Sequence, residues 1–416
     1  MRNVLISGAS VAGPALAFWL RRYGFAPTIV ERAPQLRPGG YKVDLRGVAV
    51  EVARRMGILD EVRARSTDIR GGQWLNRKGK AIATLGPDLI GFRDPGDLEI
   101  MRGDLAQLLY ETTQDVEYVF GDSITAMEEG PNGIRVSFEN GTPRTFDLVV
   151  GADGLHSGVR ALTFGPESRF SHGMGLNVAV FTVPNHLGLD RWELALSDAG
   201  HVANLYSVRK AADAKALFFF PAPGEGVDRR DVRAQQQTVR EAFAKYGWEV
   251  PRLLAEMEGS PDFYYDSLAQ LTMPAWSVGR TALVGDAAYC PSPASGQGTG
   301  LALVGAYVLA GELAAAGGPG GGDHQAAFAA YEREMRAYVD LNQKLGRDVV
   351  KQLVPATPAR ARLQSLMMRS LRFMPGKGMV LEKIMQPIRE AANGIELKTY
   401  AAPETYSDSA RRSATA

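Results

Sequence analysis

The sequence predicts an α/β (α+β) fold in which an α/β domain is interrupted by a largely antiparallel β-sheet and followed by a C-terminal helical region. Three observations predict it. Residues 3–32 read as strand, glycine turn, helix, strand and acid. Residues 171–275 carry repeated period-2 patterns, and from Trp276 onward glycine-rich turns and long helical patterns return.

The first stretch, NVLISGASVAGPALAFWLRRYGFAPTIVER, opens with an apolar run, Val4 to Ile6, that ends at Gly8. Small residues lead to Gly13, and Ala12, Leu16, Leu20 and Tyr23 then share one helical face. A second run, Thr28 to Val30, ends at Glu31. A dinucleotide site requires this order, because the turn lets a pyrophosphate approach bare N–H groups at the positive end of a helix. The acid, about 20 residues beyond the first glycine, is placed to accept hydrogen bonds from a ribose. The G-x-G-x-x-G pattern reads Gly8, Ser10, Gly13, with a serine small enough to keep that approach. Taken alone, the stretch is also compatible with an ordinary strand-to-helix turn.

After a Pro/Gly-rich loop, Val48 to Met56 reads as a helix closed by Gly57, and Trp74 to Leu85 as a hairpin turning at Lys78-Gly79. Leu105, Leu108 and Leu109 place a helical face in LEIMRGDLAQLLYETT, where Arg102 is otherwise a solvated charge. Strands follow at Glu117–Phe120, Ser123–Met127, Ile134–Phe138 and Thr145–Val150, the last running into GADGLHSGVR, residues 151–160. Leu176–Val183, Trp192–Leu196, Val202–Val208 and Ala216–Phe220 form the inserted sheet, interrupted by a charged helical segment, Arg229–Tyr246. Thr281–Val284 is a strand ending at Gly285-Asp286, and a Pro/Gly/Ser loop then feeds a helix starting near Gly298. Beyond Gly317–Gly322, a helix from Asp323 to Leu353 puts Tyr331, Met335, Tyr338, Asn342, Leu345 and Val349 on one face, placed to brace the cleft. Two short helices and a polar tail, expected to be disordered, complete the chain. The divisions expected are 1–170 and 276–345 for the two parts of the nucleotide domain, 171–275 for the inserted sheet, 346–402 for helices and 403–416 for the tail.

A chain of 416 residues exceeds what one growing core supports. Lys plus Arg at 47 against Asp plus Glu at 46 leaves +1, so charge gives no case for nucleic acid or an anionic membrane as partner. No run approaches the roughly 18 apolar residues of a membrane span, and the N-terminus enters a strand without a charged leader. Cys290 is the only cysteine, so no intrachain disulfide forms, and a cytoplasmic location is expected. The five histidines lack ligand spacing, so no metal is expected.

Three strand ends stand out: Gly8–Gly13, Gly151–Arg160 and Gly285–Gly300, two of them carrying acids, Asp153 and Asp286. In order and spacing they resemble the fingerprints of the FAD-dependent aromatic hydroxylase family. These are single-component flavoprotein monooxygenases related to p-hydroxybenzoate hydroxylase and the tetracycline-inactivating monooxygenases. The resemblance covers roughly residues 1 to 345 and implies a Rossmann-like FAD-binding domain with an inserted substrate sheet. It implies that Gly8, Ser10, Val11, Ala12 and Gly13 take the pyrophosphate and that Glu31, beside Arg32, holds the ribose. Arg102 would lie against the FAD, Asp153 in a segment serving FAD and NAD(P)H, and Gly285 and Asp286 at the ribityl chain. Pro293, Gly296, Gly298 and Thr299 would approach the isoalloxazine ring. A reduced flavin carries negative charge near N1 and the C2 carbonyl, and a helix starting at Gly298 offers it unpaired N–H groups. No catalytic side chain is implied, since the flavin carries the chemistry. The family often has His where this chain has Tyr289.

Only one nucleotide-type turn is present, which suits NAD(P)H as a transient co-substrate, and a single cysteine excludes the disulfide-reductase pattern. The implied reaction reduces FAD with NAD(P)H, captures O₂ as a C4a-hydroperoxide and passes one oxygen to an aromatic small molecule. YKVDLRG (Tyr41–Gly47) and LEIMRGDL look closer to the tetracycline-type branch, which implies a polycyclic or polyketide-like substrate. The alternatives are a non-oxygenating FAD-dependent oxidoreductase or reductase, or a flavin-dependent halogenase, although no W-x-W-x-I-P stands here. GLHSG lacks the G-x-S-x-G spacing of a hydrolase elbow. Val180, Tyr206, Phe218, Phe220 and Pro293 are candidate walls of a substrate cleft, or plain core. Arg209 and His201 would meet a phenolate or carboxylate, or be ordinary polar residues of the sheet. A monomer or homodimer is expected.

Overall fold

Apolar triplets such as Val4-Leu5-Ile6 and Leu148-Val149-Val150 are fully buried, which requires strands covered on both faces. The computed structural model describes residues 2–37, 39–87, 89–209, 211–222, 226–370 and 377–401. The tail expected at 403–416 lies outside the described residues.

In chain order the elements begin β1 (Asn3–Ser7), α1 (Ala12–Arg22), β2 (Ala26–Glu31), β3 (Lys42–Leu45), α2 (Val48–Met56) and α3 (Leu59–Ala64). They continue with β4 (Gly71–Leu75), β5 (Ala81–Leu85), β6 (Leu98–Met101), α4 (Arg102–Glu111) and β7 (Glu117–Phe120). Next are β8 (Ile124–Gly130), β9 (Gly133–Phe138), β10 (Arg144–Phe146), β11 (Leu148–Gly151) and α5 (Gly158–Phe164). The middle of the chain forms β12 (Ser171–Pro184), β13 (Trp192–Asp198), β14 (His201–Tyr206), β15 (Asp213–Pro221), α6 (Val232–Phe243), α7 (Val250–Glu256) and β16 (Tyr264–Leu271). The last part forms β17 (Ser277–Val278), β18 (Thr281–Leu283), α8 (Asp286–Tyr289), α9 (Gly298–Ala315), α10 (His324–Leu353), α11 (Pro358–Ser370) and α12 (Lys377–Ala392).

A six-stranded sheet runs β17-β18-β11-β1-β2-β7, parallel throughout except at the edge strand β17. Its parallel strands bring Ser7, Gly151 and Leu283 into register, so the three strand ends noted in the sequence emerge at one edge. The strand expected at 145–150 is split at Asp147, whose carboxylate accepts the Asn3 N–H at 2.7 Å.

The second sheet runs β16-β12-β15-β14-β13-β4-β5. The hairpin β4–β5 therefore belongs to this sheet, with β4 parallel to β13. This corrects the placement of 71–85 within the nucleotide-binding part, because local hairpin signals say nothing about which sheet edge a hairpin joins. One face packs Phe181, Phe218 and Phe220 against Phe243 of α6 and Leu253 of α7. The other face turns toward the first domain.

Helix α9 has the length and composition of a membrane span, which corrects the expectation that no such run exists. It is buried inside the protein, against α1, α2 and α10. Trp19 of α1 meets Tyr307 of α9 edge-on at 4.8 Å.

Candidate active site

The turn between β1 and α1 needs glycine at both ends for steric reasons. Gly8 has φ 108°, and a Cβ there would lie 2.6 Å from the Ala152 carbonyl oxygen. A Cβ on Gly13 would lie 1.9 Å from the Gly8 oxygen. Ser10 does more than stay small, because its Oγ accepts a 3.0 Å hydrogen bond from Arg102 at the start of α4. Glu31 accepts from the N–H groups of Ala9 and Ala33, both at 2.9 Å, one on each carboxylate oxygen. A lone pair on each oxygen is left for ribose hydroxyls. Burial pushes the Arg37 guanidinium below its ordinary value, with Arg32 and Arg102 adding to the effect and Glu31 opposing it. A group of arginines facing so little carboxylate fits a diphosphate.

Gly285 and Asp286 follow β18, and a Cβ on Gly285 would stand 3.1 Å from that of Ala12, so this strand end presses on the first turn of α1. Burial raises the Asp286 carboxyl, while Arg102 lowers it. Helix α9 starts at Gly298 with no side-chain cap, and the Gln297 Nε2 beside it is buried without a partner. Gly296 (φ 65°) would bring a Cβ to 3.4 Å from Asp44, and Gly298 would bring one to 3.6 Å from Asp286. Pro293 is exposed and Thr299 half-buried, so both open outward from this loop. Open N–H groups, an orphaned amide and glycines in a row fit the pyrimidine edge of a flavin. The loop is held from behind: Gln270 donates to the Pro291 carbonyl at 2.9 Å, and Gly346 lets α10 approach where a Cβ would lie 2.3 Å from that oxygen.

Asp153 is turned inward. Its carboxylate accepts from the Ser157 hydroxyl and from the N–H groups of Gly158 at 2.8 Å and Val159 at 3.2 Å, so it closes the turn before α5. Burial raises its carboxyl. Arg160, fully buried and missed in the sequence, donates to the Ala287 carbonyl at 3.0 Å and ties this turn to α8. Tyr289 also faces inward, its hydroxyl hydrogen-bonded to that of Tyr331 at 2.9 Å, and the Tyr331 hydroxyl also lies 3.1 Å from the Leu283 carbonyl. The residue standing where the family often has His is thus part of the core behind the loop.

Strand register defines the cleft face of the second sheet. Trp74, Ala195, Asn204, Leu217, Val180 and Tyr264 form one row across six strands. Val178 and Phe219 belong to the next row, and these apolar groups cluster with Tyr41 and with Ala294 of the loop before α9. Val180 therefore lies on the cleft face but is buried there, packed in the cluster with Ala294, Val350 and Leu353. Phe218 and Phe220 do not: they point into the α6/α7 side, and Leu217 and Phe219 take the places expected of them. The run LFFF carries no alternation, so only the register fixes which residues face the cleft.

His201 is corrected likewise, its ring packing edge-on to Phe243 at 5.1 Å on the helix-covered face. Arg209 lies beyond β14, 3.9 Å from Asp68, away from the cleft floor. Tyr206 is on the cleft side but fully buried beneath Lys42, whose ammonium stands 5.0 Å from the ring centre. Burial opposes the Lys42 charge, yet Glu193 at 2.6 Å and Glu99 at 3.5 Å outweigh it and hold the ammonium above its ordinary value. Among the described residues no cluster of His, Cys, Asp or Glu has the makings of a metal site.

Comparison with known proteins agrees with this geometry. The family model described as "FAD binding domain" matches residues 1–342. A flavin-dependent monooxygenase of Legionella longbeachae serogroup 1 (strain NSW150) is 40% identical over 344 residues, covering 83% of this chain and 87% of its own. An uncharacterized protein of Mycobacterium tuberculosis (strain ATCC 25618 / H37Rv) is 46% identical over 84% of this chain and 93% of its own. Among solved structures, the tetracycline destructase Tet(51) superposes with a TM-score of 0.83 at 35% identity, covering 96% of this chain and 100% of that one. Tet(55) gives 0.81 at 37% identity, covering 96% and 99%. The chain belongs to the FAD-dependent aromatic hydroxylase family and is an FAD-dependent monooxygenase of the aromatic-hydroxylase and tetracycline-destructase type.

Proposed function

We propose that this protein consumes NAD(P)H and O₂ to insert one oxygen atom into an aromatic, polycyclic small molecule of polyketide or tetracycline-like type, in the cytoplasm. The observation that carries the reading is the apolar sheet face of Val178, Val180, Leu217 and Phe219 gathered with Ala294 of the flavin loop. A flat, largely apolar substrate suits such a face, and the buried, unpartnered Asn204 Oδ1 gives it a polar anchor.

Bound FAD would supply electron storage and oxygen activation. Gly8 to Gly13, Glu31, Arg32 and Arg102 would hold its diphosphate and ribose. The uncapped start of α9 would stabilise negative charge on the ring without a side-chain base. The apolar sheet face would exclude water, which keeps activated oxygen for the substrate.

The test is to purify the protein with FAD and follow NAD(P)H oxidation with a panel of polycyclic phenols, analysing products by mass. Gain of one oxygen supports the reading. Full turnover of NAD(P)H without oxygen insertion for every compound would leave a non-oxygenating reductase.

A further inference from the structure

The monooxygenase reaction has a proton requirement that the apolar cleft does not itself meet. Written in balance, S + O₂ + NAD(P)H + H⁺ gives SO + NAD(P)⁺ + H₂O: the nicotinamide is oxidised, the O–O bond breaks, one oxygen joins the substrate and the other leaves as water. One proton is taken up per turnover at a place built to keep bulk water away.

The chain has a continuous line of proton-carrying groups reaching that place. Glu167, partly exposed, lies 2.9 Å from His156 Nδ1. The other ring nitrogen, Nε2, lies 3.1 Å from Asp266, and the Tyr264 hydroxyl donates to the same carboxylate oxygen at 3.1 Å. Tyr264 stands in the cleft-face row with Val180 and Leu217, its ring 5.9 Å from that of Tyr41 and clustered with Ala294 of the flavin loop. We propose that Glu167, His156, Asp266 and Tyr264 form a proton path from solvent to the flavin side of the cleft. This rests on the monooxygenase reading above.

Both ring nitrogens of His156 face carboxylates, which only the doubly protonated ring satisfies fully. Burial opposes the charge, but Asp266 and Glu167 together raise the imidazolium above its ordinary value. Arg160 at 3.1 Å and Arg229 at 3.7 Å also face Glu167. Asp266 in turn acts on Asp286 of α8 and on Cys290 just beyond it, and Tyr41 and Arg102 act on Tyr264. Burial holds the Tyr264 phenol protonated, so the inner end rests loaded with its proton. Transfer from Tyr264 into the cleft is balanced by a proton passing from His156 through Asp266 to the phenol oxygen, and His156 is reloaded from solvent beside Glu167.

The experiment uses the FAD-loaded protein and two variants, Tyr264→Phe, which removes only the hydroxyl, and His156→Gln. The expected result is a fall in kcat on the order of 10²-fold, with KM and FAD affinity within about twofold. The rate of Tyr264→Phe should rise in proportion to acidity where the parent is flat. Independently of turnover, ring ¹⁵N NMR of the protein should show His156 doubly protonated above pH ~6.5, where free imidazole has lost its proton, and Asp266→Asn should lower that titration. If the parent inserts no oxygen, the functional reading fails. If it inserts oxygen while Tyr264→Phe keeps kcat and pH profile within twofold, the path is refuted. Should His156→Gln not fold, Tyr264→Phe decides alone.

Discussion

Gly305, near the middle of α9, provides the sharpest test of how the core supports the loop before that helix. A Cβ added there would lie 1.9 Å from the Tyr289 Oη, with the next atoms at 3.2 and 3.3 Å. In an open helix, Gly→Ala would stabilise by about 0.5–1 kcal/mol. Here the methyl must displace a buried hydroxyl that bonds Tyr331. Overpacking costs about 1–3 kcal/mol, and stranding a buried hydroxyl costs about 1–3 kcal/mol more. The net expectation for Gly305→Ala is a destabilisation of about 1–5 kcal/mol after the helix gain is subtracted. Tyr289→Phe alone should cost about 1 kcal/mol, the net worth of one hydrogen bond. The two changes together should be less destabilising than Gly305→Ala alone, because removing Oη leaves contacts that are merely tight. Urea unfolding of the four FAD-loaded proteins, read as a double-mutant cycle, measures this coupling. Additive effects, or a stabilised Gly305→Ala, would refute the claim that this glycine is a notch for the tyrosine.

Three further outcomes are expected. Phe218→Ala should cost about 3–5 kcal/mol of stability with substrate KM unchanged, whereas Phe219→Ala should alter KM with a small change in stability; equal kinetic effects would overturn the assigned facing. Glu31→Gln should weaken FAD binding about tenfold by fluorescence titration, in line with one charge-assisted hydrogen bond, and an unchanged affinity would count against its ribose role. His156 has a raised folded-state value and Glu167 a lowered one. The histidine's contribution is therefore full below about pH 6.5 and fades as pH rises through the higher folded value, while that of Glu167 fades as pH falls through its own depressed value. Thermal midpoints recorded across pH should lose the alkaline decline in His156→Gln, and parallel curves would contradict the paired histidine.

Much of the fold was legible because its cause is local. Val4 to Ile6, Gly8 and Glu31 are neighbours in sequence, and parallel strands buried on both faces write themselves as unbroken apolar runs. What stayed hidden depends on long-range register. Whether Phe218 or Phe219 faces the cleft is set by pairing with Ala179 or Val178, some forty residues earlier. Whether β4–β5 extends the first sheet or the second is set by Trp192 to Leu196. Charged residues of the site were illegible for the same reason: Lys42 stands among Glu99 and Glu193, which no spacing rule would assemble.

Ser10 shows how a departure from a sequence pattern acquires a physical role once the partner is known. The middle position of the turn is held to small residues by the approach of a diphosphate, so the sequence alone ranks serine as a tolerated substitute for glycine. Its 3.0 Å bond from Arg102 links the turn before α1 to the first residue of α4. The backbone N–H of Arg102 in turn donates to the Tyr41 carbonyl at 3.0 Å. Tyr41 packs on Tyr264 at the cleft face. The turn before α1, the arginine and the second sheet are thereby joined through three direct contacts. Ser10→Gly would restore the common pattern, yet it should loosen Arg102 and lower FAD affinity severalfold rather than raise it, consistent with the loss of one hydrogen bond to a charged group. Tighter FAD binding by Ser10→Gly in a fluorescence titration would show that the serine is only tolerated.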